Sequence, residues 1–365
     1  MNVFYITDMY NIGGGERNLI DLAQQIKSDK SNKVIIILPK EGQLSAELLK
    51  KGIDYIVHDY NYLLRREWIK GLPIMIDIYF TAKVIKKIEN LKIKYDVIHC
   101  NSLHSIPFGK ILAEHFNIPI VWTCHGYWEK PRGLRAKWME KNLDAVVAIT
   151  PEIFEMVQVP QKTLIPLGVS YPKEFFKKSI NNNVKNHRIL CVGRFQFIKG
   201  QDLMIRALKL IHKRIPSVEV HFFGGFIDKN PHDYNFRKSL LSLVSELELQ
   251  SHVYFHDFDA TICKQFNSYD LLVIPSRYES FSITLLEAMM NGIAVVAPNI
   301  GGPQYILENE EKYLFIANDI HDLADKCTAI LVGDIKWEQK KMIERAKKFS
   351  IANQAIKLLD LYRGL

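Results

Sequence analysis

Cysteine is scarce in this chain of 365 residues: there are five, an odd number, set far apart. Cys100, Cys124 and Cys191 fall in apolar runs that read as strands. A disulfide frame and a zinc pattern are therefore excluded, and reduced, packed thiols of a cytosolic protein are expected. Long apolar runs are missing too. The most apolar window, residues 72–85, is broken by Asp77 and Lys83 and is too short to span a bilayer. The opening residues MNVFYIT read as a strand with no charged lead-in and no cleavage site, so no secretory signal is read there. Low-complexity segments and repeats shorter than a domain are absent as well. So is a nucleic-acid motif. The formal net charge is +8, weighted to the first half, but the basic residues follow no RNA- or DNA-binding pattern, and nucleic acid is not an expected partner.

What is present suffices for two cores, since 48% of the residues are hydrophobic and the length suits two domains better than one. Short runs rich in Val and Ile recur at residues 3–7, 34–38, 55–57, 97–100, 120–124, 146–149 and 164–167. A second series lies at 189–192, 218–223, 253–256, 271–274, 295–297 and 313–316. These runs are continuous rather than alternating, as strands covered on both faces require. The spacing predicts an α/β chain of two Rossmann-like domains, residues 1–170 and 188–336, joined by a polar linker at 171–187 that contains Pro172 and three consecutive asparagines. The last stretch, 337–365, is helical by period.

The run from Glu279 to Glu287, ESFSITLLE, sets two carboxylates on either side of a helix start directly after a strand. Ser280 or Ser282 is expected to cap that helix, and Gly292 to end it. Unpaired N–H groups of Phe281, Ser282 and Ile283 at the positive end of the helix dipole suit a phosphate or diphosphate. The alternative is a capped helix with one solvated Glu. Upstream, a strand ends in Gly193-Arg194, and five residues after that arginine Lys199-Gly200 precedes an amphipathic helix from residue 201 to 213. An Arg can meet a diphosphate as a planar fork and a Lys as a point charge. Every one of these motifs lies beyond the carboxyl end of a strand, where open α/β sheets bind ligands, so the expected site is a cleft between the domains.

The ordered set resembles the retaining glycosyltransferases of family four, which have the GT-B fold. It comprises Gly-Arg then Lys-Gly, Pro-Ser-x-x-Glu-Ser-Phe with a second Glu eight positions after the first, and Gly301-Gly302-Pro303. In the first half Gly13-Gly14-Gly15-Glu16-Arg17 follows the first strand, and Cys124-His125-Gly126 follows a central one. The likeness covers nearly the whole chain. It implies a nucleotide-sugar donor, a UDP-sugar most of all, held mainly by the second domain, and a glycan or lipid-linked acceptor in surface-polysaccharide or glycoconjugate assembly. It further implies that Arg194 and Lys199 contact the donor diphosphate and that Glu287 bonds the ribose. Glu279 would lie near the donor hexose and His125 beside the reacting carbon, while Gly14 and Gly15 let the loop approach the phosphate. No cofactor and no metal is expected, and the final helix is expected to cross back onto the first domain.

Other readings stay open. Asp257-Phe258-Asp259 could be a metal-binding Asp-x-Asp, although its place deep in the second half disfavours that. A sugar-nucleotide 2-epimerase, or a non-catalytic partner subunit, would share the fold. His99, His104 and His256 read as loop or supporting residues. Gln304 stands where the family usually has Glu, and His256-Asp257-Phe258 replaces a small turn that often faces the base. Two basic stretches carry aromatics: residues 60–94, with Arg65, Arg66, Trp68, Lys70, Lys86 and Lys87, and 127–141, with Trp128, Lys130, Arg132, Arg135, Lys137 and Trp138. They suit either an anionic membrane surface, peripheral on its cytoplasmic side, or a solvated face.

Overall fold

Each continuous apolar run becomes a strand in the computed structural model, which describes residues 1–59, 78–130, 133–159, 161–170, 187–226, 231–259 and 261–365. The chain divides into two units: Met1–Ser170 with Ser350–Leu365, and Tyr171–Phe349. In the first, β1 (Asn2–Ile6), β2 (Lys33–Leu38), β3 (Asp54–Val57), β4 (Val97–Cys100), β5 (Ile120–Cys124), β6 (Ala145–Ala148) and β7 (Lys162–Leu164) form one parallel sheet in the order β3-β2-β1-β4-β5-β6-β7. Helices α1 (Gly14–Lys27), α2 (Gln43–Lys50), α3 (Ile78–Glu89), α4 (Ile106–Phe116), α5 (Leu134–Asn142) and α6 (Pro151–Met156) connect them. Such cover on both faces is why β1 and β2 are apolar at successive positions, with Val3 to Ile6 and Val34 to Leu38 buried. The strand expected at 164–167 ends at Leu164, and the last bond from this segment to β6 is the Ile165 N–H donating to Ala148 O at 3.0 Å.

The second unit repeats the plan. Its strands β8 (Arg188–Val192), β9 (Glu219–Phe223), β10 (Val253–His256), β11 (Leu271–Val273), β12 (Ala294–Pro298) and β13 (Leu314–Phe315) lie in the order β10-β9-β8-β11-β12-β13. The helices are α7 (Gln201–His212), α8 (Pro231–Glu246), α9 (Ile283–Met290), α10 (Gly301–Ile306), α11 (Ile320–Val332) and α12 (Gln339–Lys347). In both sheets the strand order reverses beside the first strand of the unit, β1 or β8. That reversal opens the loops at the carboxyl ends of β1 and β4, and of β8 and β11, to a ligand.

The helical stretch expected from 337 onward is two helices, α12 in the second unit and α13 (Ile351–Arg363) in the first. The break has a local cause: Phe349 is buried, and Ser350 caps α13 by accepting from the Asn353 N–H at 3.2 Å. Within the first unit, Asn18 Nδ2 donates to Gly168 O at 2.7 Å and to Gln354 Oε1 at 2.8 Å, and Gln354 Oε1 also accepts from the Gly168 N–H at 2.7 Å. A Cβ on Gly168 would stand 2.6 Å from Ile351 Cα, so only glycine lets α13 dock this closely. The linker expected at 171–187 lies, save His187, outside the described residues.

Candidate functional site

In the second unit, β8 runs through Gly193 and Arg194 into a tight turn, Phe197–Lys199, and then α7. Gly200 makes this possible: its φ is +65°, and a Cβ there would lie 2.0 Å from Pro275 O, so the turn rests on the end of β11. Lys199 Nζ donates to Glu279 Oε2 at 2.7 Å, and Ser276 Oγ donates to the same oxygen at 3.1 Å. The Lys199 and Glu279 side chains keep 26% and 13% of their surface exposed. They are therefore within reach of a ligand, and a second anion at the ammonium would share it with Glu279. The Lys199 stem passes 3.8 Å from where a Gly193 Cβ would be. Arg194, next along, is half-buried, and its guanidinium has no partner among the described residues. Its carbonyl is held by Gln201 Nε2 at 2.8 Å.

Arg277, which the motif reading passed over, fastens this loop. Its Nη1 donates to Phe197 O at 2.7 Å and to Asp202 Oδ1 at 2.8 Å, and its Nη2 donates to Asp202 Oδ2 at 2.6 Å. The guanidinium also lies 3.7 Å from the Phe197 ring centroid. One planar fork thus joins the Lys199 turn, the start of α7 and the segment leading to Glu279.

The expected serine cap of α9 is not made. Ser282 stands at the capping position with φ +76° and ψ +82°, and its side chain makes no cap bond. The cause is packing. Gly302 at the start of α10 presses on this segment, where a Cβ would lie 2.2 Å from Phe281 Cα, and the Gly302 N–H donates to Glu279 O at 3.0 Å. The left-handed turn at Ser282 holds strain on the order of 1–3 kcal/mol and leaves the N–H groups of Phe281, Ser282 and Ile283 without an acceptor among the described residues. Phe281 and Ser282 are buried, so these are donors of the kind that folded proteins pair. Glu287 is half-buried a turn inside the helix, and Gly292 at φ +74° ends it.

In the first unit, β5 delivers His125 to its carboxyl end. The imidazole Nε2 lies 3.1 Å from Asn101 Oδ1, a contact in which Nε2–H donates and Nδ1 remains an acceptor. Burial pushes its pKa down to about 4, against smaller opposing effects of Asp8 and the Asn101 contact. Near neutral pH the ring is uncharged. Four residues on, Glu129 is buried and accepts the His125 N–H at 2.6 Å and the Leu103 N–H at 3.0 Å. Burial pushes its pKa up to about 7, the two N–H bonds opposing. The glycines of the first loop differ in role. Gly13 precedes α1, and its N–H donates to Glu16 Oε2 at 2.9 Å. Gly14 opens α1, while a Cβ on Gly15 would meet nothing within 4 Å. Packing within the unit therefore does not require glycine at 15.

The structure joins Lys199 to Glu279 and sets both beside Gly193 and the open start of α9. Glu287 is in the same unit, and His125, Gly14 and Gly15 lie in the other. His99, read as a loop or supporting residue in the run 97–100, is a supporting one inside β4, where Nε2 meets Thr123 Oγ1 at 2.6 Å and Nδ1 bonds the Tyr362 hydroxyl. His104 pairs with Asp8 at 3.0 Å, and His256 Nε2 with His221 Nδ1 at 3.0 Å. Asp259 accepts from the Thr261 N–H and hydroxyl, each at 2.7 Å, and from Gln265 at 3.2 Å, so it works as a turn-forming residue. Gln304 is exposed on α10. Of the basic stretches, Arg65, Arg66, Trp68, Lys70 and Arg132 lie outside the described residues. Lys86, Lys87, Trp128, Lys130, Lys137 and Lys141 are exposed. Among the described residues no helix is long and apolar enough to cross a membrane.

Two family models match: one described as Glycosyltransferase Family 4 over residues 12–170, the other as Glycosyl transferases group 1 over 172–349. An uncharacterized glycosyltransferase of Methanocaldococcus jannaschii is 27% identical over 66% of this chain and 67% of its own length. A UDP-Gal:alpha-D-GlcNAc-diphosphoundecaprenol alpha-1,3-galactosyltransferase of Escherichia coli is 25% identical over 80% of each chain. Among solved structures, Anabaena HepE in complex with UDP superposes with a TM-score of 0.80 at 19% identity, covering 100% of both chains.

Proposed function

This chain belongs to the family-four glycosyltransferases and has the GT-B fold, and from that premise we propose that it moves a sugar from a UDP-sugar to a glycan or lipid-linked acceptor with retention of configuration. The carrying observation is the cluster at the start of α9: Lys199 paired with Glu279 at 2.7 Å and, among the described residues, an Arg194 guanidinium without a partner and three N–H groups without an acceptor. Together they form a receptor for an anion with several oxygens, the character of a diphosphate. UDP is favoured because HepE was solved with it and the Escherichia coli relative is named for a UDP-sugar.

In glycosyl transfer the anomeric carbon becomes cation-like while negative charge grows on the departing diphosphate. Arg194, Lys199 and the α9 N–H groups are aimed at that growing charge, so they favour the transition state over the bound donor. Glu279 faces the hexose and keeps the Lys199 ammonium in place, and Glu287 takes the ribose hydroxyls. His125, uncharged, meets the sugar beside the reacting carbon without opposing its positive charge. The acceptor attacks from the leaving-group face and the departing phosphate takes its proton, so no protein nucleophile is assigned. The cations supply what a metal would supply elsewhere, and turnover is expected to survive EDTA. The relative that acts on a diphosphoundecaprenol substrate supports a lipid-linked acceptor. Exposed Tyr127, Trp128, Lys130, Lys137 and Lys141 suit peripheral contact with anionic lipid.

The test is a thermal-shift panel of UDP, GDP, ADP and CMP on the wild type and Arg194→Ala. A ligand at 100 times its dissociation constant adds about 2.7 kcal/mol of stability. A shift with UDP that is lost in the variant is expected. No shift with any nucleotide would favour a partner subunit without catalysis, and a changed sugar nucleotide without acceptor would favour the epimerase.

A further inference from the structure

We propose that Glu129 is the positioning residue for His125: a buried carboxylate that ties the loop after β5 to the loop after β4 and so fixes the imidazole against Asn101. This rests on the reading of His125 given above.

Geometry carries the proposal. One carboxylate oxygen takes the His125 N–H at 2.6 Å and the other takes the Leu103 N–H at 3.0 Å. Leu103 stands two residues after Asn101, whose side chain receives the His125 ring at 3.1 Å. Glu129 thus holds the backbone of the histidine and of the segment that orients it, closing a ring of contacts through Asn101. The turn between them is itself tight: the Glu129 N–H donates to Gly126 O at 3.0 Å, and a Cβ on Gly126 would stand 2.4 Å from the Trp128 indole. A carboxylate accepts at both oxygens, whereas a carboxylic acid turns one of them into a donor facing an N–H.

The clamp therefore depends on charge. The groups facing Glu129 are His125 and Cys124 at the end of β5, His104 in the turn after β4, and Asp8 after β1, with Asp8 and His104 paired at 3.0 Å. Burial is the larger influence and raises its pKa to about 7; Asp8 adds to the rise and His104 opposes it. The clamp is closed above that pH and opens below it. His125, held near 4, does not titrate in the same range.

The experiment is a double-mutant cycle of Glu129→Gln and His125→Ala, read as kcat for hydrolysis of UDP-glucose without acceptor. An amide accepts at one oxygen only, so Glu129→Gln should lower kcat about 100-fold in the wild-type background, the scale of a small misplacement of a reacting group. On the His125→Ala background it should lower kcat by less than about threefold, because the two act as a unit. The wild-type kcat should fall as pH drops through about 7, and that limb should vanish in Glu129→Gln. Equal losses in both backgrounds, or a limb that persists, would overturn the proposal. A His125→Ala variant with unchanged kcat would instead remove the reading it rests on. A measurement on the wild type needs no folded variant: the amide protons of His125 and Leu103 should titrate together near pH 7 while the His125 ring carbons stay still. Amides that do not move between about pH 5 and 8.5 would also overturn it.

Discussion

The two units solve opposite electrostatic problems at equivalent places, the carboxyl ends of central strands. In the second, Lys199, Arg194 and Glu279 are only partly buried, and the helix start behind them offers N–H groups with no acceptor among the described residues. In the first, His125 is kept neutral by burial and Glu129 is buried on two backbone N–H groups. A leaving diphosphate needs fixed positive charge, and a cation-like carbon is harmed by it. The difference between the units follows from which part of the donor each is proposed to meet.

The comparison breaks most sharply at Lys199. Lys199→Ala removes the cation proposed to meet the diphosphate and leaves the Glu279 carboxylate with the Ser276 hydroxyl and no cation, so kcat for UDP-glucose should fall about 10²- to 10³-fold; a loss under tenfold would show that charge there is dispensable. Next is Gly15, where the first unit has space that its own packing does not use. Gly15→Val should melt within a few degrees of the wild type yet lose at least about tenfold in turnover, since a branched side chain would close the proposed approach to the phosphate. Full activity would remove Gly15 from the site.

Smaller still, Arg277→Lys should cost about 1–2 kcal/mol in urea melts, because a lysine replaces neither the fork on Asp202 nor the stacking on Phe197. It should also raise the KM for UDP-glucose as the Lys199 turn loosens. Unchanged KM would confine Arg277 to stability. The mildest test concerns pH. Burial, and to a lesser extent His125, depresses the His99 pKa from 6.5 to about 3. A depressed group contributes stability that is full above 6.5 and is lost as pH falls toward 3. His99→Gln should therefore flatten the acid loss of stability between those values, and an unaltered acid slope would contradict the neutral buried ring.

The sheets were legible because parallel strands covered on both faces are written as continuous Val/Ile runs, and the family because its motifs lie at strand ends in a fixed order. Other features depend on contacts distant in sequence. Ser282 looks like a cap, but Gly302 pressing on Phe281 turns it left-handed. The break before α13 depends on a docking site at Gly168. Glu129 was invisible because its partners are main-chain N–H groups, one of them 26 residues away, and no side-chain pattern marks such a bond. His99 could be placed in its strand run, but nothing local marks a hydroxyl on α13 as its partner.

The most direct test of this division of labour is calorimetric titration of UDP into Arg194→Ala and His125→Ala. The account predicts an affinity about 10- to 100-fold weaker for Arg194→Ala, the worth of charged hydrogen bonds to a phosphate, and within about twofold of the wild type for His125→Ala. Strong loss of UDP binding in His125→Ala with normal binding in Arg194→Ala would contradict it.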